Sequence, residues 1–284
     1  MPEGHTVHRL ANAFTARFVN HRVEASSPQG RFAEGAERLN GRELVASEAH
    51  GKQMFLNFAT TGWLRVHLGL YGMWRFAGEG LDGIGRRRRT AADDEIFPPA
   101  PSGLVRLRLL TETHVADLSG PTACEVISAE QKLAAMARLG EDPLRDDSDP
   151  DRAYKKVHAS RTAIGQLLMR QDIVAGIGNI YRAELLFRAK IEPHRPGRDI
   201  SPEAWRAMWC DLTELLEDGV RTGRIVTTGT KVKTKTKIKL AKVRRGSTWV
   251  AHRAGKPCLV CGNPVQAEPM AGRKLYWCAI CQTE

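Results

Sequence analysis

Nowhere in the chain does an apolar run approach the roughly 20 residues that a bilayer-spanning helix needs. The first residues also lack the basic-then-apolar order of a secretory signal, so the expected compartment is the cytoplasm, with no membrane partner. No internal repeat is visible, which argues against a solenoid or propeller. Cysteine is scarce outside the C-terminal end, where four of the six cluster. Cys124 and Cys210 stand alone, and each reads as a small buried apolar residue. Acid is missing from one long stretch: Arg221 to Lys256 holds twelve Lys and Arg and no Asp or Glu. Removing those twelve from the total of 43 leaves 31 basic against 32 acidic residues, so the formal charge of +11 belongs to that segment. Such a field suits a polyanion, most often nucleic acid, although an anionic membrane or bulk solvent would also accept it.

What is present has room for about two domains, each with a core of its own. Through about residue 120 the pattern is mainly that of strands. Met54 to Phe58, Trp63 to Leu68, Leu104 to Leu110 and His114 to Leu118 are short, apolar and divided by turn residues. Val7, Leu10, Phe14 and Phe18 recur ahead of them at helical spacing, predicting a helix that docks the N-terminus onto this domain. Residues 85 to 103, GRRRRTAADDEIFPPAPSG, read as a mobile loop whose nearly cancelled charge argues against a phosphate site.

From about residue 128 the period becomes helical. Ser128 and Gln131 form a capping box, Leu133, Met136 and Ala137 give the expected apolar face, and Gly140 the stop. Ile164, Leu167 and Leu168 mark a second helix, and Ile180, Ala183 and Phe187 a third. Ser201 and Pro202 open a fourth, with Trp205, Met208, Trp209, Leu212 and Leu216 along one face. The stretch KVKTKTKIK, with Lys231, Lys233, Lys235, Lys237 and Lys239 at period two, fits either one face of a strand or a disordered segment.

Two local motifs carry chemistry. Cys258 and Cys261 form one CxxC pair, Cys278 and Cys281 another, and sixteen residues separate them. Two thiolate knuckles at that separation close a tetrahedral four-sulfur zinc site around a small two-stranded ribbon. Four protein ligands leave no position for water, so one structural Zn2+ is expected. Arg273 lies in the intervening hairpin, where a rigid support suits a guanidinium to a phosphate. The second motif is Gly176-Ile177-Gly178-Asn179, a glycine-rich turn entering a helix at about Ile180. Asn179 is placed there to cap that helix or to donate its amide to an anion.

In combination these features resemble the formamidopyrimidine-DNA glycosylase and endonuclease VIII family. MPEG at the start, GKQMFLNF at 51 to 58, GIGNIYRAELLF and the CxxC/CxxC finger with its arginine occur in the family's order, supported by HLGLYG and RLGEDPL. The PEG start, the LYG loop and RKLYWC point to the endonuclease VIII branch. The resemblance implies an α+β fold with a β-sandwich N-terminal domain over residues 1–125. A helix-two-turn-helix domain follows over 126–220, then the basic segment and zinc finger over 221–284.

It also implies a bifunctional glycosylase and abasic-site lyase of base excision repair, a monomer acting on damaged DNA, duplex or single-stranded, at the nucleoid. Pro2, its amine freed by loss of Met1, is the implied Schiff-base nucleophile and Glu3 the implied proton shuttle. Lys52 assists elimination and holds a phosphate; Asn179 and Arg273 are further phosphate ligands, Arg273 also serving the second elimination. Leu70 and Tyr71 match the loop that fills the space left by the displaced base. The chain departs from the family in PEGHT, where Thr6 replaces a second glutamate, and in Gly69, where endonuclease VIII has glutamine. Its lysine-rich stretch resembles no lesion-capping loop of the purine-selective members. A damage-binding protein without catalysis and a purine-selective glycosylase are the alternative readings.

Overall fold

In a computed structural model of the chain, the described residues are 2–78, 97–228 and 248–283. Most of the expected loop at 85 to 103 and all of Lys231 to Lys239 lie outside them. The chain divides into two compact units, Met1–Arg138 and Leu139–Glu284.

The first unit opens with helix α1 (Gly4–Arg17), followed by strand β1 (His21–Ser26), helix α2 (Ala33–Leu39) and strands β2 (Arg42–His50), β3 (Gln53–Phe58) and β4 (Gly62–His67). Strands β5 (Met73–Gly78), β6 (Val105–Leu110), β7 (His114–Ser119) and β8 (Ala123–Ile127) and helix α3 (Ala129–Ala137) complete it. All pairings are antiparallel, in the order β5-β7-β6-β1-β2-β3-β4-β8. β1 belongs to two halves: His21 to Val23 pair with β2, whereas Glu24 to Ser26 pair with β6. Leu44, Leu56, Leu64 and Val66 from one half and Trp74, Phe76, Leu107 and Leu118 from the other share a single core. The expected sandwich is therefore built from one sheet folded across β1.

Helix α1 closes this core. Phe14 is fully buried, with its ring centroid 4.9 Å from both Phe18 and Trp74 and 5.3 Å from Phe76. Tilted and edge-on rings at such distances add to the burial term. The N-terminus is thus tied down, which chain ends generally are not.

Helix α3 corrects the sequence reading. Its capping box is present, Gln131 N–H donating to Ser128 Oγ at 3.2 Å and Ser128 N–H to Gln131 Oε1 at 2.9 Å. The buried residue of the helix is Lys132, while Leu133 is 65% exposed. The Lys132 ammonium lies 3.5 Å from the Trp63 ring centroid and 2.6 Å from Glu48 Oε2. An aromatic face and a carboxylate together hold the cation inside, and the aliphatic side chain is turned outward. Cys124 packs against the core, and burial pushes its thiol up to about 12. Cys210, expected to be buried, is exposed on the outer face of a helix of the second unit.

That unit holds α4 (Pro150–His158), the single turn α5 (Ile164–Leu167), α6 (Asn179–Ala189) and α7 (Pro202–Thr222), then the hairpin β9 (Gln266–Met270) and β10 (Arg273–Trp277). Sequence periodicity missed α4, because only Ala153 and Val157 of it are buried. Helix α7 has the expected start, Ser201 Oγ accepting from Ala204 N–H at 3.1 Å with Pro202 at the first turn. Helix α6 is buried from Tyr181 to Arg188. Tyr181, Leu185 and Leu186 join the core beneath Trp205, Met208 and Leu212, whereas Ala183 and Phe187 join the core of the finger with Trp249, Val265 and Tyr276.

Removing the ring at the centre of the first core, Phe14→Ala, should cost about 3–5 kcal/mol. A calorimetric melting temperature lowered by about 10 °C or more is the expected result.

Candidate active site and nucleic-acid interface

In the first unit the described chain starts with Pro2, half-buried, and Glu3, fully buried. Glu3 is the N-cap of α1 in extended geometry (φ −115, ψ 176), and its carbonyl accepts from Thr6 N–H at 2.9 Å. Acidic N-caps ordinarily spend the carboxylate on the first backbone N–H groups. Here the side chain makes no capping bond.

His5 follows, also buried. Burial, reinforced by the Arg9 charge, lowers its pKa from 6.5 to about 4, so the imidazole is neutral at pH 7. Its Nε2 lies 3.2 Å from Thr6 Oγ1. The last two residues of the divergent PEGHT start, His5 and Thr6, are thus a contacting pair.

Lys52 is half-buried in the two-residue turn joining β2 to β3. His67, at the end of β4, stands opposite Gln53, the residue after Lys52. Burial first, then the charges of Lys52 and Arg65, hold the His67 pKa below its ordinary value. The sequence reading passed over His67. The signal lies in strand pairing: β3 and β4 run antiparallel, bringing the end of one beside the start of the other.

Leu70 and Tyr71 project from the turn between β4 and β5, 42% and 81% exposed. Gly69 ahead of them has φ +65, and a Cβ there would run into the Thr122 hydroxyl. Left-handed backbone and this contact together select glycine, so the loop presents two side chains and not three.

The second unit gathers Asn179 and the arginine hairpin. Gly178 is the N-cap of α6, which makes Asn179 the first helical residue and not the cap considered above. Its amide Nδ2 donates to the Lys274 carbonyl on β10 at 2.9 Å, and its Oδ1 accepts from Arg182 Nη2 at 2.5 Å. Arg273 is exposed where β10 begins, directly after the tight turn at Ala271 (φ 53) and Gly272 (φ 67). Asn179 therefore abuts the residue next to Arg273.

The four finger cysteines come together, all Sγ atoms lying within 4.8 Å of one another. Cys258 and Cys281 are 3.9 Å apart and Cys261 and Cys278 3.5 Å apart. A tetrahedral Zn–S length of about 2.3 Å requires sulfurs about 3.8 Å apart, so the donor set fits zinc. Val260 N–H donates to Cys258 Sγ at 3.5 Å, the kind of outer bond that steadies a thiolate. The finger is fastened to the segment just after α6 by Gln282, which donates to the Ile191 carbonyl at 3.0 Å and accepts from Cys278 N–H at 2.8 Å.

Three family descriptions match in succession. The formamidopyrimidine-DNA glycosylase N-terminal domain covers residues 1–118, the H2TH domain of that glycosylase 139–231, and a zinc finger found in FPG and IleRS 255–283. Endonuclease 8 1 of Mycobacterium tuberculosis is 42% identical over 283 residues, 100% of both chains. The chain belongs to the formamidopyrimidine-DNA glycosylase and endonuclease VIII family. Membership makes it a DNA glycosylase of base excision repair, with the abasic-site lyase activity that goes with the family. A formamidopyrimidine-DNA glycosylase of Rippkaea orientalis is 30% identical over 99% of each chain. Lactococcus lactis Fpg (MutM) bound to DNA containing N7-benzyl-Fapy-dG has the same fold, with a TM-score of 0.75 at 20% identity over 100% of both chains. Its complex with abasic-site DNA gives 0.74 at 20% identity, over 99% of this chain and 100% of that one. Among the described residues no helix is long and apolar enough to cross a membrane.

Two measurements follow from this geometry. Because the folded His5 pKa lies below 6.5, the unfolded chain binds the extra proton, and stability of the first unit is complete above pH 6.5 and declines as the pH falls toward 4. His5→Gln should remove that component, on the order of 3 kcal/mol over the interval. Melting temperatures of the two proteins should lie closest at pH 7 and separate at pH 4.5, with the wild type falling further. Metal analysis should find about one zinc per chain. A zinc-free Cys258→Ser protein that bound DNA normally would remove the finger from the interface.

Proposed function

We propose that the chain excises oxidised bases from DNA and cuts the strand at the resulting abasic site, with Pro2 as nucleophile. With Met1 removed, Pro2 carries a secondary amine with a pKa near about 8, unprotonated in part at neutral pH. Its lone pair attacks C1′ as the glycosidic bond breaks, and the base leaves with the bonding pair and a proton. The attacking nitrogen then loses its proton, and O4′ departs from C1′ with a proton from Glu3. The product is a ring-opened iminium. A secondary amine reaches that cationic state directly, with no further proton to lose. The iminium acidifies C2′–H; loss of that proton expels the 3′ phosphate, with Lys52 assisting. A second elimination, of the 5′ phosphate, is the step in which Arg273 would act.

The observation that carries this reading is the setting of Glu3. It is a fully buried carboxylate next to Pro2, on a helix docked to the core, and it is not spent on capping that helix. A carboxyl group in that position is within reach of the reacting sugar, as a proton shuttle requires. The first unit carries the chemistry and the second the grip on the strand, through Asn179 and Arg273. Leu70 and Tyr71, exposed on a turn held by Gly69, are the wedge that enters the duplex. Zinc supplies no chemistry and stiffens the hairpin under Arg273. We assign the enzyme to the cytoplasm as a monomer on damaged DNA. The 42% identity with endonuclease 8 1 supports the endonuclease VIII branch over the formamidopyrimidine one.

Borohydride trapping on abasic and thymine-glycol duplexes tests the proposal. A chain shown by intact mass to lack Met1 should form a covalent adduct, and an N-terminally extended chain none. Equal trapping by both would remove Pro2 from the reaction. Binding without release of base across a lesion panel would favour the non-catalytic reading, and preferential release of 8-oxoguanine the purine-selective one. Salt should weaken binding steeply as phosphate contacts are screened.

A further inference from the structure

Arg182 lies one turn into α6 and is 0% exposed. An arginine at that depth is costly unless each N–H finds an acceptor. Its Nη2 donates to Asn179 Oδ1 at 2.5 Å, and its Nη1 donates to the Met270 carbonyl at 3.1 Å and, at 3.4 Å, to the Gly165 carbonyl. Met270 is the β9 residue paired with Arg273 across the hairpin. One planar guanidinium thus touches both structural supports of the proposed grip: the side chain of Asn179 and the backbone opposite Arg273. The hairpin comes this close because position 165 is glycine, a Cβ there lying 2.7 Å from Met270 Sδ and 3.0 Å from the Pro193 carbonyl.

The chemistry of the partners fixes the Asn179 amide. Guanidinium only donates, so the amide oxygen must face Arg182; the Lys274 carbonyl only accepts, so the amide nitrogen must face β10. An amide nitrogen carries two hydrogens, and Lys274 takes one. The second remains for an anion. Polarisation by the cation on Oδ1 makes that N–H a stronger donor.

We propose that Arg182 is a positioning residue for DNA. It acts through Asn179, locking the amide so that its second N–H meets a backbone phosphate of the substrate strand, and it holds the hairpin at the spacing that presents Arg273 to the same strand. This rests on the reading of Asn179 as a phosphate ligand.

A double-mutant cycle on the full zinc-loaded chain tests it, with a duplex carrying a tetrahydrofuran abasic analogue as probe and steady-state excision as second readout. Asn179→Ala should weaken binding about tenfold, the loss of roughly one charge-assisted hydrogen bond. Arg182→Met, which removes the buried cation while filling its volume, should weaken it by a similar factor, and the double variant should be no weaker than Asn179→Ala alone. For Arg182→Met the loss should appear in KM, with kcat changing far less. Independent factors that multiply in the double variant would overturn the positioning role and leave the phosphate reading standing. Wild-type affinity in Asn179→Ala would overturn the phosphate reading itself, and the positioning role with it. Asn179→Asp provides a check in a chain that keeps Arg182. The carboxylate keeps an acceptor for the guanidinium but sets its other oxygen against the Lys274 carbonyl and the phosphate, so DNA affinity should fall at least as far as in Asn179→Ala, and wild-type affinity would overturn the orientation argued here.

Discussion

A helix enclosed on both sides must satisfy its polar side chains within the protein, and α6 meets that constraint with partners drawn from distant parts of the second unit. Glu184, fully buried, accepts from the N–H groups of Trp249, Val250 and Ala251 at 2.7, 2.9 and 2.8 Å and from the Thr227 hydroxyl. Arg188 forks onto Asp211 at 2.7 and 2.5 Å and donates to the Thr227 carbonyl at 2.7 Å. Thr227 and Trp249 to Ala251, far apart within the basic segment, are thereby gathered onto one helix. The finger is fastened to that helix as well, so the hairpin inherits its position from the same source.

The first unit meets a different demand with a different device. The N-terminal amine proposed as nucleophile needs a fixed direction, yet a chain end has no preceding residue to hold it. The aromatic contacts of Phe14 and Phe18 provide the fixation from within, several turns further along α1. Position is then transmitted backward along a helix whose first residue follows Glu3 directly. The entropy of the terminus is offset by core packing.

The folding pattern was largely readable, because strands and helices with one apolar face announce themselves by period. So were the four cysteines, where ligand type and spacing leave few other uses. Reading failed where a side chain is buried for its partner and not for its own hydrophobicity. Lys132 displaced the expected Leu133 because Trp63 and Glu48, remote in sequence, make a seat for a cation. Arg182 and Glu184 look like the solvated face of an amphipathic helix until the finger is known to cover them. Cys210 sits in an apolar context in sequence, but on the outer side of α7. The bonds of Asn179 were equally hidden, since Lys274 is 95 residues away along the chain.

The backbone at Gly69 also ties together two places that a pairwise comparison of sequences would treat as independent. Position 69 has no room for a side chain while Thr122 stands beside it, and its left-handed φ disfavours a branched or long residue whatever stands at 122. A three-residue wedge of the glutamine-leucine-tyrosine kind therefore cannot be transplanted by one exchange. It requires a re-routed turn and a smaller neighbour at 122 in the same step.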